Sequence, residues 1–183
     1  MRELSLHLLD IAENSVAAGA QNILIAVEEN TQADLMRLVV KDDGQGMNAE
    51  TVKQVLDPFF TSRTTRKVGL GLPLLKEAAE ACDGSLKLTS KPGEGTDVEV
   101  EFKRSHIDRM PLGDLGSTFL NLLIAYPHVH WQFLYQLDNY RFVLDDEEIK
   151  RELEGISLTE PAILSYLRGY IETGLAEVTS NSA

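Results

Sequence analysis

Apolar residues recur every three or four positions at the start of the chain. Leu4, Leu8 and Ile11, in line with Ser15, form one stripe, and Leu9, Ala12 and Val16 form a second beside it. That spacing predicts a helix over residues 4–18, with Gly19 as its stop. The pattern then changes to extended apolar runs. Asn22–Glu28 and Leu35–Lys41 read as strands, and the polar stretch Glu29–Asp34 between them makes the pair a hairpin. Asn48 is placed to cap a short helix, Ala49–Leu56, which Pro58 follows. Residues 61–69 are polar, basic and without period, a loop. A second helix is expected over 72–82, with Pro73 in its first turn and Gly84 near its end. Ser85–Ser90 and Thr96–Lys103 are strands around the turn Lys91-Pro92-Gly93-Glu94-Gly95.

Beyond Arg104 the pattern predicts a helix over Asp114–Ala125. A second hairpin, His130–Leu137 with Tyr140–Leu144, follows and turns at Asp138-Asn139. Alternation puts Trp131, Phe133 and Tyr135 on one face of it. Asp145–Glu154 and Glu160–Leu175 read as helices, the latter opened by the capping box Ser157-x-x-Glu160. The last residues, 179–183, are expected to fray. Helices alternating with hairpins imply an α+β fold, a two-layer sandwich in which a mixed sheet is covered on one face by helices. The reading divides the chain into a domain at 1–104 and a small C-terminal α+β module at 105–183.

Composition narrows the classes of function. A chain of 183 residues with 43% hydrophobic and 25% charged residues is long enough, and apolar enough, to bury a substantial core. The net charge of −12 argues against nucleic acid as a partner. No apolar stretch approaches the roughly 20 residues that cross a bilayer, and no signal sequence is visible. The single Cys82 suits a reducing compartment and, set among Ala and Leu, a packing role. A cytoplasmic protein is the expectation.

Four short segments, with a fifth later in the chain, carry the candidate chemistry. Glu13-Asn14 lies on the first helix. Asp43-Gly44-Gln45-Gly46-Met47 follows the second strand. Asp57-Pro58-Phe59-Phe60-Thr61 and Gly69-Leu70-Gly71-Leu72 come next, and Gly93-Glu94-Gly95-Thr96 echoes them later. An acid beside glycines is what any tight turn wants, so no single segment decides. Their order does. Together they resemble the adenine-nucleotide site of the GHKL superfamily, which includes histidine kinases, gyrase-type ATPases, mismatch-repair ATPases and anti-sigma kinases. The resemblance covers about residues 3–103 and implies the Bergerat-type sandwich. The loop and glycine boxes are most similar to histidine kinases. The run Glu13–Ala20 is especially similar to the mismatch-repair version.

That resemblance implies ATP and Mg²⁺ as cofactors and assigns roles. Asn14 would coordinate the Mg²⁺ that bridges the phosphates, since an amide oxygen is a suitable hard ligand. Asp43 would accept a hydrogen bond from the exocyclic amine of adenine, with Thr96 beside the base. Gly44 and Gly46 would take positive φ and let backbone approach the ring, with Met47 counted beside them among the nucleotide contacts. Gly69, Leu70, Gly71 and Leu72 would seat phosphate at a helix N-terminus. Thr61, Arg63 and Lys67 belong to a loop whose hydroxyls and cations would close on the phosphates. Phe59 and Phe60 read as core rather than cofactor contacts. Asp10, four residues before Asn14, stands where ATPase members carry a glutamate base, one methylene shorter here. It is the catalytic candidate.

Two departures from histidine kinases stand out. No phosphoacceptor helix pair precedes the first box, and Ala17 replaces a basic residue that many kinases carry. The four histidines, His7, His106, His128 and His130, read as surface or packing residues. The function expected is that of a stand-alone, Mg-ATP-binding kinase-like protein that regulates or phosphorylates a partner protein, with an ATPase cycling on Asp10 or a non-catalytic ATP sensor as the alternatives. Residues 105–183 are the expected partner-docking part, and a homodimer is left open.

Overall fold

The computed structural model describes residues 3–57 and 71–182, and these form twelve elements. The first half runs α1 (Leu4–Ala17), β1 (Asn22–Asn30), β2 (Leu35–Asp42), α2 (Ala49–Val55), α3 (Gly71–Glu80), β3 (Ser85–Lys91) and β4 (Gly95–Lys103). The second half runs α4 (Leu115–Ala125), β5 (His130–Leu137), β6 (Tyr140–Asp145), α5 (Asp146–Glu152) and α6 (Pro161–Asn181). The strands make one six-stranded mixed sheet in the order β3-β4-β2-β1-β5-β6. Every neighbouring pair is antiparallel except β1 with β5. The fold is therefore the expected α+β class.

Alternation explains which face is covered. Ile23, Ile25 and Val27 of β1, Met36, Leu38 and Val40 of β2, and Val98, Val100 and Phe102 of β4 are all buried on one side, beneath α1 and α3. The opposite side carries a charged ladder. Arg37 lies 3.2 Å from Glu28 and 2.9 Å from Glu99, and Lys41 lies 3.2 Å from Asp97. These pairs are half exposed and add little to stability.

The segments on either side of Arg104 share the sheet and a single core. β5 lies against β1 in register from Asn22–His130 to Glu29–Leu137. Phe133 stacks on Phe119 of α4 at 4.3 Å between ring centroids, and Trp131 stacks on Phe133 at 5.7 Å. A buried polar knot ties the same two segments. Glu29 accepts from Arg104 Nε at 2.8 Å and from the Tyr135 hydroxyl at 3.0 Å.

Several local expectations meet the structure directly. Gly19 takes φ +79° just past α1, and Asn48 accepts from Thr51 N at 2.8 Å as the cap of α2. Cys82 is buried and unpaired. Two expectations are corrected. The Ser157–Glu160 capping box does not form: Ser157 Oγ sits 2.7 Å from Thr159 Oγ1, and Glu160 makes no side-chain cap. Pro161 instead takes the first turn of α6, where its fixed φ and missing N–H cost nothing. The tail does not fray at 179 either. Val178 is 3% exposed and anchors it, so α6 runs on to Asn181. Among the described residues, no helix is long and apolar enough to cross a membrane.

Two stability effects follow. Phe119→Ala empties the centre of the aromatic stack and lowers unfolding free energy by about 3–5 kcal/mol in urea titration. Burial, reinforced by Glu29, pushes the Tyr135 phenol well above its ordinary range. Unfolded tyrosine releases its proton near pH ~10. The folded state holds the proton longer, so this contribution is complete below that pH and is lost as pH rises beyond it. Tyr135→Phe is expected to flatten the alkaline limb of a stability-versus-pH curve.

Candidate functional site

The alternation that buries Leu38 and Val40 brings Asp42 out on the same face at the end of β2. There it meets α1. Ser15 Oγ donates to Asp42 Oδ2 at 2.5 Å, and the Gly44 N–H donates to Asp42 Oδ1 at 2.9 Å. A carboxylate gripped at both oxygens has a fixed direction, and its remaining lone pairs face a cleft of about 230 Å³. Ile11, Met47, Val55, Leu72 and Val98 make that cleft mostly apolar, while Asn14, Asp42 and Thr96 supply polar groups.

Ser90 sets the orientation of Thr96. The Met47 N–H donates to Ser90 Oγ at 2.8 Å, and Ser90 Oγ donates to the Gly95 carbonyl at 2.9 Å. Its one proton is thereby used, so the Thr96 hydroxyl, 2.9 Å away, donates into the remaining lone pair of Ser90. Thr96 is left with acceptor lone pairs. Asp42 and Thr96 thus both present acceptors, and the cleft suits a flat apolar group that carries N–H donors.

Glycine is required at two points of this floor. Gly46 has φ +65°, and a Cβ there would fall 1.8 Å from the Lys91 carbonyl oxygen. Gly95 has φ +104°, and a Cβ there would fall 1.9 Å from the Asp42 carbonyl oxygen. These glycines let backbone pack on backbone, locking the 43–47 loop, the 91–95 turn and the end of β2 together. Gly44 is buried against Ala18 and takes no positive φ, contrary to expectation.

Asp43 is the main correction. It faces away from the cleft and accepts from Gln21 N at 2.7 Å, Asn22 N at 2.9 Å and Asn22 Nδ2 at 2.6 Å. Partial burial pushes its carboxyl up, but the Asn22 and Gln21 hydrogen bonds outweigh this and hold it below its ordinary value. Its work is to fasten the loop to the start of β1. The acid in the cleft is Asp42, one position earlier, and the parity of β2 was the signal for it. Ser15 and Ser90 were also missed, because they act through other residues rather than through a motif.

Of the other expected residues, Asn14, Gly46, Met47, Leu72 and Thr96 line the cleft. Asn14 is exposed, and its amide makes no hydrogen bond to the described residues. Gly71 is buried at the start of α3. Asp10 is half-buried and is not among the lining residues. Thr61, Arg63, Lys67, Gly69 and Leu70 lie outside the described residues, as do Phe59 and Phe60. His130 is more than a packing residue. Its Nδ1 lies 2.9 Å from Asn22 Oδ1 and its Nε2 2.8 Å from Asp145, so a chain of contacts runs from Asp43 to the N-cap of α5. His130, Asp145 and Asp146 converge within ligand distance of one another. Lys150, 2.5 Å from the buried Asp146, already supplies the cation there.

Residues 2–106 match the family described as histidine kinase-, DNA gyrase B-, and HSP90-like ATPase. The chain belongs to this family. The family's sensor kinases are among its similar sequences. It is 40% identical over 89 residues to the sensor protein kinase FleS of Pseudomonas aeruginosa, covering 49% of this chain and 22% of that protein. It is 32% identical over 111 residues to the non-motile and phage-resistance protein of Caulobacter vibrioides, covering 56% of this chain and 13% of that one. The chain therefore spans under a quarter of the length of these relatives. In fold it is similar to the Aquifex aeolicus MutL ATPase domain complexed with ADP. That likeness has a TM-score of 0.50 at 15% identity, covering 84% of this chain and 70% of that one. It reaches beyond the segment matched by the family.

Asp42→Asn is expected to weaken nucleotide binding by roughly tenfold or more, since mispairing a buried acceptor costs about 1–3 kcal/mol. Asp43→Ala should leave affinity nearly unchanged and lower stability by about 1–2 kcal/mol, because it unpairs loop N–H groups. Calorimetric binding and urea unfolding on both variants separate the two aspartates.

Proposed function

We propose that this chain binds Mg-ATP in the cleft bounded by α1, α3 and the ends of β2 and β4, and that it regulates or phosphorylates a partner protein. Adenine sits between Ile11, Met47, Val55 and Val98, and its exocyclic amine donates to Asp42. Guanine presents a carbonyl at that position and would face a carboxylate. The amine's second N–H is left for the Thr96 hydroxyl to accept. The observation that carries the reading is the Asp42 carboxylate, clamped by Ser15 and Gly44 in the lining of a mostly apolar cleft.

Asn14 is the residue that fits a magnesium ion. Its amide borders the cleft and has no competing hydrogen bond among the described residues, so its oxygen is available to a hard cation. Mg²⁺ bound there would offset charge on the phosphates. The buried start of α3, at Gly71, lies where backbone N–H groups would approach them. Residues 105–183 are assigned to the partner, and nothing in the chain's acidity favours nucleic acid.

A second reading is favoured by one observation. The contacts Asp43–Asn22–His130–Asp145 join the loop under the base to the N-cap of α5. They give nucleotide occupancy a route to the C-terminal elements, as a non-catalytic sensor requires. The ATPase reading with Asp10 as base gains no such support, since Asp10 does not line the cleft.

The test is calorimetry with Mg-ATP and Mg-GTP, followed by γ-labelled Mg-ATP on the pure protein. The expected result is binding of ATP over GTP, lost in Asp42→Asn, with no label retained on the chain. Equal affinity for GTP would overturn the adenine assignment. Free phosphate released at a rate abolished by Asp10→Asn would move the protein to the ATPase class.

A further inference from the structure

The sheet has two edges, and they are finished differently. At one, β3 exposes Ser85, Lys87, Thr89 and Lys91, and α2 packs beside it. Lysines on an edge strand are a common defence against pairing with another chain. At the other, β6 has no proline and no lysine, and its register with β5 is unbroken from Gln132–Asp145 to Leu137–Tyr140. Its central residue, Val143, is 52% exposed. Apolar exposure lies along this edge on both faces, Val143 on one and the tyrosines on the face of Phe142. Tyr140, Val143, Tyr166 and Tyr170 are four of the eight exposed large hydrophobic side chains among the described residues. Tyr166 stacks on Tyr170 at 6.3 Å, and Tyr170 lies 5.7 Å from Phe142, forming a ledge along the outer flank of α6.

The sequence of β6 specifies what covers this edge. Side chains of Arg141, Val143 and Asp145 share one face of the strand. Place a second β6 antiparallel, with a two-fold axis through Val143. Each Arg141 then stands opposite Asp145 of the second copy, Phe142 opposite Leu144, and Val143 opposite itself. Arg141 makes no ion pair among the described residues. Asp145 is 32% exposed, and its Oδ2 accepts only from Gln132 Nε2, leaving room for a guanidinium. Moving the axis by one residue loses both ion pairs: about Phe142, Arg141 meets Val143, and about Leu144, Asp145 meets Val143. The strand is self-complementary in a single register.

We propose that two copies of this chain pair through β6, antiparallel about Val143, joining their sheets into one and setting the Tyr166–Tyr170 ledges against each other. The nucleotide cleft lies at the ends of β2 and β4, several strands away, so both clefts stay open in the pair. This inference does not depend on what the cleft binds.

Light scattering after size exclusion on the full chain tests it. The native protein is expected at twice the chain mass. Val143→Lys, at an exposed position, is expected at the monomer mass, still folded and with a single cooperative melting transition. Val143→Cys should cross-link to itself on mild oxidation, because opposed residues of an antiparallel pair lie about 4.5–5.5 Å apart at Cα, within disulfide reach. Arg141→Cys should not, since the two copies of that residue would stand roughly 13 Å apart along the strands. Buried Cys82 is a spectator. A native monomer, a dimer that survives Val143→Lys, or equal cross-linking from both cysteines would overturn the proposal.

Discussion

The period-two alternation of β2 is the constraint on which the site depends. Met36, Leu38 and Val40 face α1 and α3, where they join Ile23, Ile25 and Val27 of β1 in the core at the centre of the sheet. Asp42, two residues further, has no choice of side. It emerges under α1, where Ser15 stands ready to donate, while Asp43 is sent to the opposite side and fastens the loop to β1. Two adjacent carboxylates with the same chemistry thus receive different work from a single geometric rule. Gly95 completes the arrangement, since any side chain there would strike the backbone carbonyl of Asp42 itself.

Much of the N-terminal half was legible because its signals are local. Helical spacing, the stop at Gly19, the Asn48 cap and two apolar strands each depend on neighbours a few residues away. The composition of Asp43-Gly44-Gln45-Gly46 is the same whichever way Asp43 points, and only the parity of the strand before it sets the direction. Leu38–Val40–Asp42 would have decided the matter. In the second half the misleading signals were also local. Ser157 and Glu160 have capping-box spacing, yet Pro161 claims the first helical turn. Val178 continues α6 because it meets a core that no window of sequence around it reveals.

The pairing of β5 with β1 was not legible. Parallel strands need a crossover connection, and here it spans everything between Asn30 and His130, so no hairpin signal points to it. What secures it is visible only in three dimensions. Glu29 gathers Arg104 and Tyr135 at one end of the strand pair, and Asn22 meets His130 at the other. Both ends of β1 are therefore tied across to β5, and the apolar faces between them merge.

That merger decides how the two ends of the sheet can act on each other. Asn22 is the shared residue. Its Nδ2 is committed to Asp43, which leaves its Oδ1 for His130 Nδ1, so the amide has a single orientation. His130 in turn holds Asp145, the last residue of β6 and the cap of α5. A shift of the 43–47 loop would therefore reach β6 through one amide and one imidazole, without disturbing the apolar core. The same Asp145 faces Arg141 of the second copy in the paired arrangement, so the 43–47 loop and the edge of the sheet are three contacts apart. In such a chain the packed core supplies rigidity, and the polar contacts at its two rims carry any communication between them.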